Sequence, residues 1–542
     1  MNRLFTGTKN LFLSKQRTII SSTLIVATTI ILSSLFGFMR YRVLAGYFSK
    51  EELDIFFASF RIPDIVFELL ISGALTTSFV PIFIKYQKDK KELDVNISSI
   101  INITTLILFL LILVLFFTAD WIIPLITPGF TGAKIQSVIY YSKILLLGQL
   151  PFLVLSNVLT GLGQANKTFI ISSIAPIAYN IIIIIATIAF STQFHLLAPV
   201  VGVVAGSAFM FLMQIPLFYS SHFTYQRVVK FTKGLREFYR LVVPRLVTVL
   251  AAQIDATIDL TLTTLMQPGS YTVFYLAQRL QLLPVSIIGI SFGQASLPYI
   301  TEVYQEKKIE EFRKIITESI LSLLFLTIPM ASFFIIARTP LVRMFFGGDK
   351  FDWNATVQTA ITLSYFALAI PLHSLYYFLT RCFYAFLDSK TPFYASVFSI
   401  GINILLSLSF IFIFHLPVWA LAIAFTVSIT VNVWILLYKL AKRIQGFEYR
   451  VLIHELLKIF FVTFLAAFFS YWLMKILDGL VLDTTRTINV IFLLAIVGVT
   501  FMSLYFFLAW SFGIKESAMI VNFIQKAKHY KKRVIEIYAN VE

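Results

Sequence analysis

Four charged side chains lie in or beside long apolar segments of this sequence, where a charged group is unusual. They are Arg40, Asp54, Arg61 and Arg279. An ionisable group inside a bilayer costs at least about 2.5–3.5 kcal/mol on insertion scales, so such a residue needs a partner, contact with water or a function. Each of the four is therefore a candidate functional residue.

Three of these residues also have an ordinary structural explanation. Arg40 lies near the predicted end of a helix, where an arginine extends its head towards water. Asp54 opens the next predicted helix, where a carboxylate caps the first amide groups. Arg61 shares one helix face with Asp64 and Glu68, and pairing among the three would neutralise them. For each of these three residues, the functional explanation and the structural explanation both stay open.

Arg279 has the best chemistry for an anionic ligand. It lies in Phe274-Tyr275-Leu276-Ala277-Gln278-Arg279-Leu280, and Pro284, Gly289 and Gly293 follow. Proline and glycine predict a bend, which would turn the arginine towards a central cavity. A guanidinium binds phosphate through two parallel hydrogen bonds. The sequence favours a phosphate contact, with an arginine directed to the membrane surface as the alternative.

Asp255 and Asp259 are four residues apart and so share one face of a predicted helix. Two carboxylates on a buried face repel each other unless a cation or a proton lies between them. The pair predicts an ion site and coupling to sodium or to protons. Pairing with Arg245, or a position at an aqueous opening, is the competing explanation.

Signatures of covalent catalysis are missing from the sequence. There is no Walker A motif, no nucleophile constellation, and no pair of the six histidines at the spacing of metal ligands. The single cysteine, Cys382, excludes an internal disulfide and argues against a cysteine-ligated metal. We expect a protein that is not an enzyme and that holds no metal and no organic cofactor.

The segments that carry these residues are membrane helices by composition. The chain of 542 residues is 58% hydrophobic and 13% charged, with a mean hydropathy of +0.86, whereas a soluble domain is about 45–50% apolar and about 25% charged. A helix needs about 20 apolar residues to cross a bilayer. The sequence predicts an all-α integral membrane protein with about fourteen transmembrane helices. They are Thr18–Phe48, Asp54–Lys85, Ile97–Thr118, Gln136–Gly161, Phe169–Ser191, Leu196–Tyr219, Phe238–Leu265, Tyr271–Tyr299, Ile316–Ala337, Ala355–Leu387, Pro392–Phe414, Val418–Lys439, Leu456–Met474 and Val490–Trp510.

The net charge of +17 carries information about topology. Basic residues crowd alternate connections between the predicted helices, and the connection around Gln267-Pro268-Gly269-Ser270 has none. Cytoplasmic connections carry the excess of lysine and arginine in membrane proteins. We therefore expect both termini in the cytoplasm, and we read the basic charge as a topology signal rather than as a site for nucleic acid.

An internal duplication organises the predicted helices. Asn166-Lys167-Thr168 followed by Asn180 matches Ser389-Lys390-Thr391 followed by Asn403 with identical spacing. The repeat unit is six helices, and parallel repeats of this kind are typical of transporters whose site lies between the lobes. Chance similarity among apolar helices is the alternative. The predicted division is an N-lobe in 1–230, a C-lobe in 231–450, and two further helices with a basic cytoplasmic tail in 451–542.

A series of short motifs runs along the chain in a characteristic order. They are Gly37-Phe38-Met39-Arg40, Asp54–Asp64, Gly73-Ala74 before Phe79-Val80-Pro81, Ile126-Thr127-Pro128-Gly129-Phe130, Ala175-Pro176 with Asn180, Pro244-Arg245, Gly269-Ser270 before Tyr275–Leu280, and Phe383-Tyr384-Ala385 with Thr391-Pro392. In this order the chain resembles the lipid II flippase family (MurJ, also called MviN) of the multidrug/oligosaccharidyl-lipid/polysaccharide (MOP) exporter superfamily.

The resemblance implies two six-helix lobes around a central cationic cavity, with two C-terminal helices that form a groove for a polyprenyl tail. It also implies alternating access that moves lipid II, or a related undecaprenyl-diphosphate sugar, from the cytoplasmic to the outer leaflet of the bacterial inner membrane. By position, Arg40, Asp54 and Arg279 resemble charged residues of the family's cavity, and Asp259 and Asn403 resemble part of a sodium site.

Five positions depart from the family's pattern. Ser34 and Phe67 replace arginines, Ser72 and Ser407 replace acidic residues, and Gln278 replaces an aspartate. The loss of these charges leaves two alternatives open: an exporter of another lipid-linked oligosaccharide or a cationic drug, and a transport-dead scaffold that recruits cell-wall synthesis enzymes. The expected partners are the lipid-linked substrate, the bilayer and such enzymes, and not nucleic acid.

Overall fold

The computed structural model describes residues 19–70, 76–220, 223–306 and 308–518, and helices are the only regular elements in those ranges, as the all-α prediction requires. The helices are α1 (Ile19–Tyr47), α2 (Lys50–Ser59), α3 (Arg61–Leu70), α4 (Thr76–Tyr86), α5 (Lys90–Ile126), α6 (Gly132–Gly148), α7 (Leu150–Ala165), α8 (Ile170–Phe194), α9 (Leu197–Ser220), α10 (Lys233–Thr264), α11 (Ser270–Pro284), α12 (Ser291–Gln305), α13 (Ile309–Ile336), α14 (Arg338–Phe346), α15 (Trp353–Ala385), α16 (Lys390–Leu408), α17 (Trp419–Arg443), α18 (Tyr449–Ile476) and α19 (Thr487–Ser511). Short π-helical segments follow three of them, at Val285–Ile290, Ser409–Ile413 and Leu477–Val481.

Eleven helical stretches among the described residues are long and apolar enough to cross a membrane, which confirms a multi-pass membrane protein. The first, second and seventh predicted helices fall on α1, on α2 to α4, and on α10, which are not among the eleven. The count of fourteen spans therefore stays a prediction. The prediction of one unbroken helix over Asp54–Lys85 is wrong, because α2 ends at Ser59 and α3 begins at Arg61.

The chain divides into two compact units. The first comprises Met1–Thr272 and Phe345–Ala355, and the second comprises Val273–Met344 and Thr356–Glu542. The first unit includes α10, whereas the predicted boundary at residue 230 assigns this helix to the C-lobe. The predicted boundaries come from the six-helix repeat, whereas the two units are defined by compact packing. The repeat itself stays a prediction.

In the first unit, α8 and α9 pack closely at two glycines. A Cβ atom at Gly202 would lie 2.7 Å from the Cβ atom of Ala186, and one at Gly206 would lie 3.0 Å from the carbonyl oxygen of Tyr179. Lipid tails are as apolar as leucine, so helices in a bilayer associate through close packing rather than through the hydrophobic effect. The four-residue spacing of these glycines is the pattern that permits such packing.

The second unit has a large core that draws on α13, α15, α17, α18 and α19. Phe378, Phe383 and Tyr505 are fully buried in it, and the Tyr505 hydroxyl donates to the backbone carbonyl of Phe325 at 2.7 Å. The single cysteine, Cys382, is also completely enclosed in this core. The two last helices are therefore an integral part of the second unit.

Among the described residues, five other than glycine have a left-handed backbone at or just after helix ends; Gln445 is one of them, and the other four form two pairs. Lys167 and Leu387 have φ values of 60° and 59°, and His195 and His415 have φ values of 47° and 50°. The members of each pair are 220 residues apart in the sequence. This constant offset of 220 residues supports a repeat, although the predicted alignment of Lys167 with Lys390 has an offset that is three residues longer.

Candidate functional site

Asp54 lies inside α2, because the N-cap of this helix is Ser49. Its side chain is almost completely buried and accepts four hydrogen bonds. Oδ2 accepts from Nζ of Lys134 at 3.0 Å and from the amide of Gly269 at 2.7 Å, while Oδ1 accepts from the amide and hydroxyl of Thr272 at 2.8 and 2.9 Å. A carboxylate offers about four lone-pair sites, so these bonds fill its capacity as an acceptor.

The Asp54 carboxylate joins three parts of the first unit. Lys134 belongs to α6, and its ammonium group also lies 3.9 Å from the centre of the Phe130 ring. Gly269 forms the turn between α10 and α11 with a φ of +86°, and a Cβ atom there would collide with the side chain of Lys50. Glycine meets both requirements of this turn. The cluster fixes the start of α11 against α2 and α6.

Arg61 is the first residue of α3, and its side chain is nine-tenths buried. Its Nε donates to the Thr257 hydroxyl at 3.0 Å, and its Nη2 donates to the carbonyl and side-chain oxygens of Gln253 at 2.6 and 2.8 Å. Both partners lie in α10. The sequence predicted partners for Arg61 only on its own helix, at Asp64 and Glu68, and did not identify this link to α10.

Arg40 lies in α1 and is half-buried in the first unit. The centre of its guanidinium is 4.9 Å from the ring centre of Tyr41 and 6.0 Å from that of Tyr179. The hydroxyl of Tyr179 in turn accepts from the side-chain amide of Gln149 at 3.3 Å. Aromatic rings contact the flat face of a guanidinium, whereas phosphate binds to the N–H groups along the edge of the guanidinium. The two rings lie close to the guanidinium, and a role of Arg40 in anion binding stays a prediction.

Arg279 belongs to the second unit, where its side chain is exposed. Its guanidinium lies 4.8 Å from the ring centre of Tyr275, one helical turn earlier. After this arginine, α11 ends at Pro284 and the π-helical segment Val285–Ile290 begins. The bend towards a cavity stays a prediction. Within that segment Gly289 approaches Ser374 so closely that a Cβ atom would lie 2.6 Å from the Ser374 Cα. Such π-helical segments are frequent at functional sites.

Gln281, two residues after Arg279 in the sequence, forms a part-buried polar contact with His373. The side-chain nitrogen of Gln281 lies 3.2 Å from Nδ1 of His373, and the histidine ring stacks on Tyr377 with 5.2 Å between ring centres. Sequence reasoning assigned no role to either residue. The two residues are far apart in the chain, and no spacing signal links them.

The residues of the predicted ion site divide between the two units. In the first unit, Asp259 is 5% exposed and Asp255 is half-buried, both on α10. In the second unit, Asn403 is 2% exposed on α16, and Ser407 lies one turn later on the same face and is also buried. The side chain of Arg245, the alternative partner of the aspartates, lies outside the described residues. The ion site stays a prediction.

Comparisons with known proteins agree with this architecture. The family model described as "Lipid II flippase MurJ" matches residues 44–509. A probable lipid II flippase MurJ from Buchnera aphidicola subsp. Schizaphis graminum is 26% identical over 470 residues, which cover 84% of this chain and 91% of the relative. Another from Rickettsia prowazekii is 25% identical over 401 residues, covering 71% and 77%.

Solved structures show the same fold. A lipid II flippase MurJ in an inward closed conformation superposes with a TM-score of 0.73 at 23% identity, over 90% of this chain and 99% of that one. An inward-facing multidrug resistance transporter of the MATE family, which belongs to the MOP superfamily, gives a TM-score of 0.66 at 14% identity, over 78% of this chain and 98% of that one. Because the family model spans well over half of the sequence, the chain belongs to the lipid II flippase MurJ family.

Proposed function

We propose that this protein moves lipid II, the undecaprenyl-diphosphate-linked precursor of peptidoglycan, from the cytoplasmic to the outer leaflet of the bacterial inner membrane. The observation that carries the proposal is the match of residues 44–509 to the lipid II flippase family. Eleven helical stretches of membrane-crossing length among the described residues support it. The protein is a transporter rather than an enzyme, so its cycle makes and breaks no covalent bond.

The charge of the diphosphate is the main barrier to this movement. A single charge at the centre of a bilayer costs several kcal/mol unless it is compensated. We assign Arg40 and Arg279 to the diphosphate, because a guanidinium pairs with phosphate oxygens bidentately. The central cavity that the family resemblance implies would open first to one face of the membrane and then to the other, while the polyprenyl tail stays in lipid.

Asp54 and Arg61 have a different part in the proposal. The acceptor sites of Asp54 are filled by Lys134, Gly269 and Thr272, and Arg61 donates three hydrogen bonds to α10. We therefore infer that both residues position the helices of the first unit and do not contact the diphosphate directly.

Ion coupling is proposed on Asp259 and Asn403, with Asp255 on the same helix face as Asp259. The burial of Asp259 supports the idea, because a buried carboxylate requires compensation of its charge, which a cation or a proton can supply. Either sodium or a proton satisfies this requirement. Movement of that ion down its gradient would then bias the transport cycle.

The membrane arrangement is proposed from the basic connections and the family. We propose fourteen spans, two parallel six-helix lobes followed by two helices, and both termini in the cytoplasm. Reporter fusions at Glu542 and near Gln267 should report opposite sides of the membrane. The same side for both would refute this arrangement. Cell-wall synthesis enzymes stay a predicted class of partner.

The function is tested by rescue of a bacterium that has been depleted of its own lipid II flippase. The expected result is restored growth together with restored access of an external probe to lipid II in the outer leaflet. Growth without that access would favour the scaffold. Failure of rescue, together with export of another lipid-linked oligosaccharide, would favour the related exporter.

A further inference from the structure

A connection without regular secondary structure between α9 and α10, residues 223–232, lies against α5 in the first unit, and we refer to it as the strap. Three polar residues of α5 hold it: Asp94, Ser98 and Asn102. The bonds are Thr224 N to Asp94 Oδ1 at 2.9 Å, Gln226 N to Ser98 Oγ at 2.8 Å, and Asn102 Nδ2 to the carbonyls of Gln226 and Val228 at 3.1 and 2.9 Å. The strap is thus attached to one face of α5.

The order of these bonds gives the direction of the strap. Asp94, Ser98 and Asn102 are four residues apart, which is about 6 Å along a helix at 1.5 Å per residue. Their partners Thr224, Gln226 and Val228 follow in the same order, so the strap runs parallel to α5. Two bonds within the strap, from the Val228 amide to the Gln226 carbonyl at 2.8 Å and from the Thr232 amide to the Lys230 carbonyl at 3.0 Å, turn its backbone. The Gly234 amide donates to Asn96 Oδ1 at 2.9 Å and holds the start of α10 on the same helix.

The strap closes one end of an apolar groove between α5, α7 and α9. The groove has a volume of about 720 Å³, within the usual range for a small-molecule site. Its walls include Leu106 of α5, Leu159 of α7 and Phe211 of α9, and its strap end includes Tyr225 and Val229. Leu106 is half exposed, so the groove is open to the surface that faces lipid. Most of its lining is aliphatic or aromatic.

The strap and the start of α10 are basic. Arg227, Lys230, Lys233 and Arg236 are all exposed, and no acidic residue lies between Thr224 and Arg236 in the sequence. Among the described residues, none of these four cations forms an ion pair with a carboxylate. Arg227 and Lys230 flank the groove-lining residue Val229 in the sequence, so the strap brings positive charge beside one end of the apolar channel.

Tyr225 lies where the basic end meets the apolar channel. Its hydroxyl donates to Oδ1 of Asn102 at 2.7 Å, and Asn102 uses its amide nitrogen for the strap carbonyls. Both side chains therefore already have hydrogen-bond partners within the protein. This leaves the apolar channel for a hydrocarbon chain and the strap cations for an anionic group at its end.

We propose that this groove binds an acyl chain of an anionic phospholipid, with the phosphate of its headgroup on the strap residues Arg227 and Lys230. Lysine and arginine near an anionic leaflet each contribute about 1 kcal/mol to lipid attraction. A channel that is apolar along its length and basic at one end matches the two parts of a phospholipid. The site is independent of the proposed transport function, because none of its residues is assigned to the diphosphate.

The test is native mass spectrometry of the full-length protein in detergent, with equal amounts of phosphatidylglycerol and phosphatidylcholine that carry the same acyl chains. Wild type should retain phosphatidylglycerol preferentially. The variant Arg227→Gln/Lys230→Gln should bind it roughly thirtyfold more weakly, since two charges at about 1 kcal/mol each correspond to about 2 kcal/mol. The control variant Lys439→Gln/Lys442→Gln removes two exposed charges from the second unit and should keep the preference.

A second variant examines the apolar channel. Leu106→Trp adds bulk at an exposed position of the groove wall, so folding should be preserved while retention of both phospholipids at this site falls. Equal phosphatidylglycerol binding by wild type, the strap variant and Leu106→Trp would overturn the proposal. Displacement of the retained phospholipid by a polyprenyl phosphate at equal concentration would also overturn it, because the groove would then be a site for the substrate's tail.

Discussion

The buried Asp54–Lys134 pair should contribute far more to stability than an exposed pair of the same residue types in the same unit. Asp54→Asn keeps the shape of the side chain but removes its charge and turns one acceptor into a donor. The Lys134 ammonium group then lacks its carboxylate, and the new amide group faces existing donors from Gly269 or Thr272. The change therefore leaves buried donors without acceptors.

The magnitude follows from the burial of the pair. Breaking a buried ion pair by changing one partner costs about 3–5 kcal/mol. Asp120 and Lys143 are 2.6 Å apart, but their side chains are 51% and 26% exposed, and an exposed pair contributes about 0.2–1 kcal/mol. Asp120→Asn is thus a matched control. We expect the free energy of unfolding to fall several times more for Asp54→Asn than for Asp120→Asn.

The assay is reversible unfolding of the purified protein in mixed micelles by a denaturing detergent, followed by tryptophan fluorescence. A double-mutant cycle with Lys134→Met should give a coupling energy of about 0.5–3 kcal/mol, as for residues in direct contact. Equal losses for Asp54→Asn and Asp120→Asn would refute the positioning role. So would a loss of flipping by Asp54→Asn at an unchanged free energy of unfolding, which would indicate a direct substrate contact.

Three further predictions concern single side chains. Arg279→Ala should abolish flipping in the depletion rescue, although the variant protein reaches the membrane in normal amounts. Arg279→Lys should keep only part of the activity, because an ammonium group lacks the bidentate fork of a guanidinium. Full activity of Arg279→Ala would remove this arginine from the mechanism. Asp259→Asn should weaken the dependence of transport on sodium or on pH, and an unchanged ion dependence in reconstituted vesicles would contradict the ion site. Burial raises the pKa of Asp388, but hydrogen bonds from Thr391 and Arg443 outweigh that effect and hold its pKa below the usual 3.8. A lowered pKa gives stability that is present above the usual value and is lost as pH falls through the folded-state pKa. Asp388→Asn should therefore destabilise the protein at neutral pH, and the difference in unfolding free energy from wild type should shrink below about pH 4; a difference that stays constant with pH would contradict this.

The membrane class could be predicted from the sequence because it depends on composition over long segments. The break between α2 and α3 was missed, although a local signal was present. Pro63 is the third residue of α3, and proline is tolerated in the first turn of a helix, where its missing amide would have no partner. The sequence prediction joined α2 and α3 into one helix because the hydrophobic pattern continues across the break between them.

The partners of the candidate site could not be predicted, because the fold brings them together from distant parts of the chain. Lys134 follows Asp54 by 80 residues, and Gln253 follows Arg61 by 192. Spacing rules for helices extend over three or four residues and say nothing about such pairs. Sequence reasoning could name the charged residues and the turn at Gly269, but it could not separate positioning residues from substrate contacts.

The complete enclosure of Cys382 has a practical consequence for experiments on this transporter. The thiolate is the reactive form of cysteine, and a thiol with no accessible surface in an apolar core is out of reach of aqueous maleimides. The natural chain therefore behaves towards such reagents as a cysteine-free background. One cysteine introduced at a time into the connections between helices would then be the sole labelled site, and its reaction with a membrane-impermeant reagent would report the side of the membrane on which that connection lies.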